Sequence, residues 1–375
     1  MTAKRKGSSP DRLIRPLVRK LHGYVPGEQP NVRGLIKLNT NENPYPPADG
    51  VTDALRAFDP GALRRYPPAT AQELRRQIAA LHGLHEDEVI ATRGGDELLR
   101  LLITTFVPPG RPIGTTRPSY SLYQVLAEIH DSPIFEMDLE EDFGLPASFA
   151  DACNDHDCAL TLIVNPHAPS GRLFSVQELR AVASRLNGLL LVDEAYVDFV
   201  DPALEYDAVR LLREFDNLVI LRTLSKGYSL AGLRLGYGLG PAGLTQPMLQ
   251  KTRDSYNLDG ISQVIAARAL ADQAYARSTW ERVRAERDLL AESLAELGLR
   301  SWPSQANFLL ARVPAKSAVD AAGVYAHLKQ EGVLVRYFAS DGMRDKLRIT
   351  VGTPKENARL LHVLRELYDT SSGAD

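Results

Sequence analysis

The sequence predicts an α/β fold: a large domain with a mostly parallel central sheet flanked by helices, a smaller α+β domain, and an amino-terminal arm. Three observations predict it. From Val89 to Gly240 short apolar runs alternate with amphipathic stretches, the pattern of helices packed on a parallel sheet. From Ser262 to Leu297 a long run of helix formers ends at Gly298, enough to carry the chain from one domain to the next. After it, short strand-like and helical segments follow one another. The divisions drawn on this basis are 1–45 for tail and arm, 46–265 for the large domain and 266–375 for the small one.

Within the large domain the apolar runs Val89–Thr92, Leu160–Val164, Leu189–Val192, Leu218–Leu221 and Leu235–Leu239 read as strands. Between them Ser175–Leu186 has apolar residues at helical spacing; Ser175 is the expected N-cap, and Glu178, three residues on, completes a capping box. In the small domain Phe308–Val313, Val333–Arg336 and Leu347–Val351 read as strands, with helices at Ala318–Gln330 and Lys355–Tyr368.

With 375 residues the chain can bury two cores, more than a bare binding module needs. Its composition, 44% hydrophobic and 24% charged, is that of a globular protein, and a net charge of −3 gives nucleic acid no electrostatic hold. No run of about 18 apolar residues is present to span a membrane. Lys4, Arg5, Lys6, Arg12, Arg15, Arg19 and Lys20 against Asp11 make the start basic without the apolar stretch of a signal peptide, so a solvated tail is expected. Cys153 and Cys158 bracket His156. A structural zinc site wants four ligands and no second cluster follows, so two free thiols near a surface loop, no metal and a reducing cytoplasm are expected.

Two strand ends carry the chemistry. Leu189–Val192 ends in Asp193, which places a carboxylate at the carboxyl edge of the sheet, where α/β proteins bind ligands. The strand ending at Leu221 leads into Thr223, Ser225 and Lys226, with Arg234 a few residues on. Hydroxyls, tight glycine turns and a forked cation together suit a phosphate dianion. Gly94-Gly95-Asp96-Glu97 precedes the helical run Leu98–Phe106, so main-chain N–H groups at a helix start also face an anion.

These residues stand in a larger set of blocks: Leu38–Tyr45, Arg65-Tyr66-Pro67, Gly94–Leu98, Arg117–Tyr120, Asn165–Gly171, Asp193–Tyr196, Ser225-Lys226, Ala231–Arg234 and Leu347–Gly352. In that order and spacing they resemble the fold-type I pyridoxal-phosphate aminotransferases and, among these, the histidinol-phosphate aminotransferase family. The resemblance implies pyridoxal 5′-phosphate as cofactor, tethered as an imine to Lys226, which also shuttles the substrate proton. Asp193 would keep the pyridine nitrogen protonated. By the same resemblance Asn165 and Tyr196 flank the phenolic oxygen, Tyr120 stacks on the ring, and Gly95, Asp96, Ser225 and Arg234 cradle the phosphate. Tyr66 would serve the phosphate site of the neighbouring subunit, making the protein a homodimer.

Arg348 is implied as the anchor of the substrate's anion, the alternative being an ion pair with Asp345, and Arg336, Tyr24 and Asn43 as further substrate contacts. The implied substrates are a small-molecule amino donor, histidinol phosphate, and a 2-oxo acid. Aromatic aminotransferases and threonine-phosphate-type decarboxylases share the scaffold and are the enzyme alternatives. A ligand-sensing regulator would need a separate DNA-binding domain, for which the roughly 20 residues ahead of the match are too few. The chain departs from the family loop Asn-Pro-Asn-Asn-Pro-Thr-Gly with Asn165-Pro166-His167-Ala168-Pro169-Ser170-Gly171, a change expected at the rim of the site.

Overall fold

The computed structural model describes residues 10–372. Thirteen strands among the described residues fall into three sheets. The arm contributes β1 (Ile36–Lys37). The large sheet holds β2 (Val89–Thr92), β3 (Ile113–Arg117), β4 (Ile134–Asp138), β5 (Leu160–Val164), β6 (Leu189–Asp193), β7 (Leu218–Thr223) and β8 (Gly236–Leu239). Its order is β2-β8-β7-β6-β5-β3-β4, parallel throughout except for β8, which runs antiparallel to both neighbours. The remaining strands are β9 (Arg300–Ser301), β10 (Phe308–Arg312), β11 (Val333–Leu334), β12 (Arg336–Tyr337) and β13 (Lys346–Thr350).

Strands β5 and β6 are buried along their whole length, as parallel strands covered by helices on both faces must be. Strands β3 and β4 were not legible as such. The first is the polar run Ile-Gly-Thr-Thr-Arg, and the second, at the sheet edge, is partly exposed. A Cβ on Gly114 of β3 would lie 2.8 Å from Cys153 Sγ and 3.2 Å from Cys158 Sγ. The two cysteines are therefore not near the surface as expected: both are free and buried, filling the space that Gly114 leaves. Among the described residues no His, Cys, Asp or Glu cluster can hold a metal ion, and no helix is long and apolar enough to cross a membrane.

The capping box forms: Ser175 Oγ accepts from Glu178 N at 3.2 Å and Glu178 Oε2 accepts from Ser175 N at 2.6 Å, opening the helix Val176–Arg185. The long helical run is two helices, Gly260–Ala271 and Gln273–Glu296, because Asp272 turns out of helical geometry and caps the second through Tyr275 N at 3.0 Å. This second helix joins the cores: Ala276 packs with the large sheet, Leu290 and Leu294 with the small domain. Val333–Arg336 also divides. β11 pairs in parallel with β1 of the arm, and β12 pairs with β13. The arm is thereby stitched into the small domain, where Leu38 joins its apolar core.

Of the basic start, Lys4, Arg5 and Lys6 lie outside the described residues. The remainder forms the short helical turns Pro10–Leu13 and Pro16–Lys20, and Arg19 donates to the carbonyls of Ile14 and Arg12.

Candidate active site

A cavity of about 440 Å³ opens at the carboxyl ends of β6 and β7, between the large sheet, the arm and the small domain. It is lined by Gly95, Asp96, Tyr120, Asp193, Tyr196, Ser225, Lys226 and Arg234 from the large domain, by Tyr24 from the arm, and by Arg336 and Arg348 from the small domain. Parallel order places this site: successive strands deliver Asp193 and then, just past Thr223, Ser225 and Lys226 to one sheet edge.

Lys226 Nζ donates to the Thr40 carbonyl at 2.8 Å. Burial first, then the positive charge of Arg348, lowers its pKa from 10.5 to about 7, so near neutrality a large fraction of the amine is uncharged and nucleophilic. Asp193 is 5% exposed, and burial raises its carboxyl to about 6 despite a 2.9 Å hydrogen bond from the Tyr123 hydroxyl. A buried carboxylate held this way gains most from a cationic partner. Tyr120 sits edge-on to Tyr24 with ring centroids 5.8 Å apart.

At the other end of the cavity the helix Gly95–Phe106 begins after Gly94, which caps it with φ of 76° and no side-chain bond. Its first N–H groups are thus free for an anion. Arg234 Nη1 lies 3.4 Å from Ser225 Oγ, and Nη2 lies 3.4 Å from Asp96 Oδ2. A Cβ on Gly94 would come within 2.7 Å of Arg234 Nη2, and one on Gly236 within 2.9 Å of Gly95 N. The glycines keep this concavity open. Hydroxyl, guanidinium and helix start at one end, an amine in the middle and a buried carboxylate fit pyridoxal phosphate: a dianion, an aldehyde and a basic ring nitrogen.

Arg348 is on β13 and Arg336 on β12, directly opposite in the ladder. Arg348 does not pair with Asp345, whose carboxylate is taken by Arg312 and Lys346, each at 2.6 Å. Its Nη2 donates to Asn39 O at 3.1 Å, while its buried Nε finds no hydrogen-bond partner among the described residues.

Two expected residues, Asn165 and Asn43, lie elsewhere. Asn165 does not line the cavity: both amide hydrogens are spent, on Phe174 O at 3.0 Å and Tyr206 Oη at 2.8 Å, and its Oδ1 accepts from Phe174 N at 2.7 Å. It pins its own loop, and Ala168 and Pro169 are the loop residues that reach the cavity. His167 is equally internal, bonded to Ser170 Oγ and Pro118 O, with burial lowering its pKa to about 4. Asn43 also misses the cavity, because its Nδ2 faces Gly227 O at 3.2 Å and Thr279 Oγ1 at 3.4 Å. It props the peptide next to Lys226. Tyr66 lies outside its own cavity, 81% exposed and stacked on Tyr256 with centroids 4.4 Å apart.

Sequence reasoning missed Asn39, Thr40 and Asn41, which line the cavity from the arm, Phe338 and Met343 on its small-domain side, and Tyr123 behind Asp193. The unbroken polar run Asn39–Asn43 after Leu38 was the available sign for the first three; Tyr123, inside an apolar helix, gave none.

The class I and II aminotransferase model matches residues 33–364. A histidinol-phosphate aminotransferase of Trichormus variabilis is 42% identical over 356 residues, covering 94% of this chain and 98% of the other, and one of Citrifermentans bemidjiense is 38% identical over 358 residues, at the same coverage. The histidinol-phosphate aminotransferase of Sinorhizobium meliloti, solved in complex with pyridoxal 5′-phosphate, superposes with a TM-score of 0.86 at 24% identity, covering 96% of this chain and 99% of that one. The L-threonine-O-3-phosphate decarboxylase of Porphyromonas gingivalis shares the fold with a TM-score of 0.76 at 19% identity, over 89% of this chain and all of that one. The chain belongs to the class I and II aminotransferases, enzymes that depend on pyridoxal phosphate, and within them to the histidinol-phosphate aminotransferase family.

Proposed function

We propose that this enzyme moves the amino group of histidinol phosphate to 2-oxoglutarate, yielding imidazole acetol phosphate and glutamate. The observation that carries this reading is the cross-strand pair Arg336 and Arg348 in the cavity wall, with no carboxylate in ion-pair range of either among the described residues. Two neighbouring guanidiniums suit a phosphate dianion, and either can take a carboxylate of glutamate. The relatives at 37–42% identity carry the same activity in their names.

Bound pyridoxal phosphate supplies the electron sink for the pair left when a proton leaves the amine-bearing carbon. In our reading Lys226 tethers it and, once displaced by substrate, carries that proton on Nζ. Asp193 would keep the ring nitrogen protonated. Tyr196 would serve the phenolic oxygen and Tyr120 the ring, while Gly95, Asp96, Ser225 and Arg234 would hold the phosphate. Arg348, Arg336 and Tyr24 orient the substrate and keep its far end from water.

The active unit in this proposal is a twofold homodimer in which Tyr66 reaches the neighbour's phosphate site. Its 81% exposure, with the ring stacked on a half-exposed Tyr256, supports this, since such apolar surface commonly marks a contact. We read the arm (1–45), the cofactor domain (46–265) and the small domain (266–375) as the working parts, supported by their meeting at the cavity. Buried free thiols at Cys153 and Cys158 support a reducing, cytoplasmic location.

The test is a half-reaction with single amino donors, followed through the visible absorbance of the bound cofactor. Histidinol phosphate and glutamate should both bleach it, histidinol phosphate at the lower concentration. Far better turnover of phenylalanine or tyrosine would move the assignment to aromatic amino acids, a reading that the aromatic wall of Tyr24, Tyr120 and Phe338 favours. Release of carbon dioxide without consumption of 2-oxoglutarate would mark a decarboxylase.

A further inference from the structure

Asn41 lies in the arm, 1% exposed, with a φ of 56°. Asparagine is one of the few residues that tolerate this left-handed conformation, so the backbone alone explains its presence only in part. Its side chain joins two structural units. The Asn41 main-chain N–H donates to Thr350 Oγ1 at 3.0 Å, and Thr350 Oγ1 donates to Asn41 Oδ1 at 3.0 Å. Asn307 Nδ2 donates to Asn41 O at 3.0 Å, and Asn41 Nδ2 donates to Tyr196 Oη at 3.0 Å.

Proton accounting fixes the direction of these bonds. The single Thr350 hydroxyl proton needs an acceptor, and among the described residues Asn41 Oδ1 is the one it bonds. Reversing the amide would place two donors on Thr350 Oγ1 and leave that proton without a partner. The amide therefore presents N–H to Tyr196, whose oxygen accepts and whose own proton must point elsewhere. Tyr196 lines the cavity, and its hydroxyl has no second hydrogen-bond partner among the described residues, which leaves the cavity as the direction open to that proton. Thr350 stands two residues after Arg348 on β13, on the same face of the strand.

We infer that Asn41 is a positioning residue: it turns the Tyr196 hydroxyl into a hydrogen-bond donor toward the cofactor and ties that orientation to the strand that carries Arg348. The inference rests on the cofactor reading of Tyr196 given above. The other groups facing Tyr196 are Arg348, Asp193, Tyr24, Tyr120, Tyr123 and Lys226, the last with Nζ 5.9 Å from the ring centroid. Among the described residues only Asn41 is hydrogen-bonded to the hydroxyl. A donor to the cofactor's phenolic oxygen favours its ionised form and lowers the pH at which the bound cofactor changes colour.

The experiment is a pH titration of the visible absorbance of four holoenzymes: the parent, Asn41→Asp, Tyr196→Phe and the double variant. Asn41→Asp keeps the size of the side chain and the tolerance for positive φ, but its carboxylate accepts where the amide donates, so the Tyr196 proton turns away from the cavity. The midpoint should rise by about one pH unit in the parent background and by less than about a third of that with Tyr196→Phe. Equal rises in both backgrounds would reduce the effect to the added charge, and no rise in the parent would leave Asn41 a purely structural residue; either result overturns the inference. Tyr196→Phe alone must raise the midpoint, and its failure to do so refutes the cofactor reading of Tyr196 instead. Asn41→Gly, which keeps the backbone conformation and removes the amide, should give a smaller upward shift that also disappears with Tyr196→Phe.

Discussion

Arg336 and Arg348 face each other as direct partners across the β12–β13 ladder. Like charges in this position repel, and the nearby acid Asp345 is occupied by Arg312 and Lys346. Burial and the proximity of Arg336 both disfavour the charge on Arg348. An anion in the cavity would relieve this repulsion, which is why the pair is proposed as the recognition element for a phosphate or carboxylate.

Arg348→Ala should impair both half-reactions, whereas Arg336→Ala should hurt histidinol phosphate more than glutamate. Each lost charge-assisted contact should cost roughly 1.5–3 kcal/mol, about one to two powers of ten in kcat/KM. Separate half-reaction kinetics for the two donors check this, and equal losses for both donors in Arg336→Ala would remove it from phosphate recognition.

Asp193→Asn should weaken cofactor binding by about one to two powers of ten and nearly abolish turnover, because an amide cannot keep the ring nitrogen charged. Tyr123→Phe should act in the same direction but more weakly, since burial rather than the Tyr123 bond dominates the environment of Asp193. Equilibrium titration with pyridoxal phosphate measures both. Near-normal turnover in Asp193→Asn would make that carboxylate structural.

The lysine sets a pH dependence. With its pKa lowered to about 7, chiefly by burial, Lys226 of the apoprotein should capture pyridoxal phosphate at a rate that rises with pH to a plateau just above 7 instead of near 10. Arg348→Ala removes a repelling charge and should move that midpoint upward. Stability follows the same linkage: between about 7 and the unfolded value of 10.5 the unfolded chain holds the extra proton, so this residue makes the apoprotein more stable as pH rises through that window. A capture rate still climbing at pH 9 would contradict the burial argument.

Much of the site was legible because its chemistry sits at strand ends, and strand ends follow from apolar runs. Asp193 closes one such run and Lys226 follows another, so reading five strands was enough to bring them together. The polar strand β3 and the exposed edge strand β4 lack that signature, although β3 leads directly into Pro118, Ser119 and Tyr120 of the cavity wall, so Tyr120 follows from the resemblance and not from the strand pattern. Side-chain direction was what the sequence withheld. Asn165 and Asn43 occupy motif positions, yet each amide is consumed by neighbours that no spacing reveals, Phe174 and Tyr206 for one and Gly227 and Thr279 for the other. Asn41, two residues before Asn43 in the same polar block, has a left-handed backbone and lines the cavity.

If Tyr66 completes the neighbour's site, an inactive Tyr66→Phe chain mixed with an inactive Lys226→Ala chain should recover part of the activity. In the hybrid dimer one of the two sites receives both intact residues. Absence of rescue, with subunit exchange verified by mass, would place Tyr66 outside the shared site.

Reducing the holoenzyme with borohydride and mapping the modified peptide shows whether Lys226 holds the cofactor. The pyridoxyl group is expected on Lys226, and a Lys226→Ala chain should bind pyridoxal phosphate without a covalent bond and transaminate several orders of magnitude more slowly. A pyridoxyl group on any other lysine, with Lys226 unmodified, would contradict it.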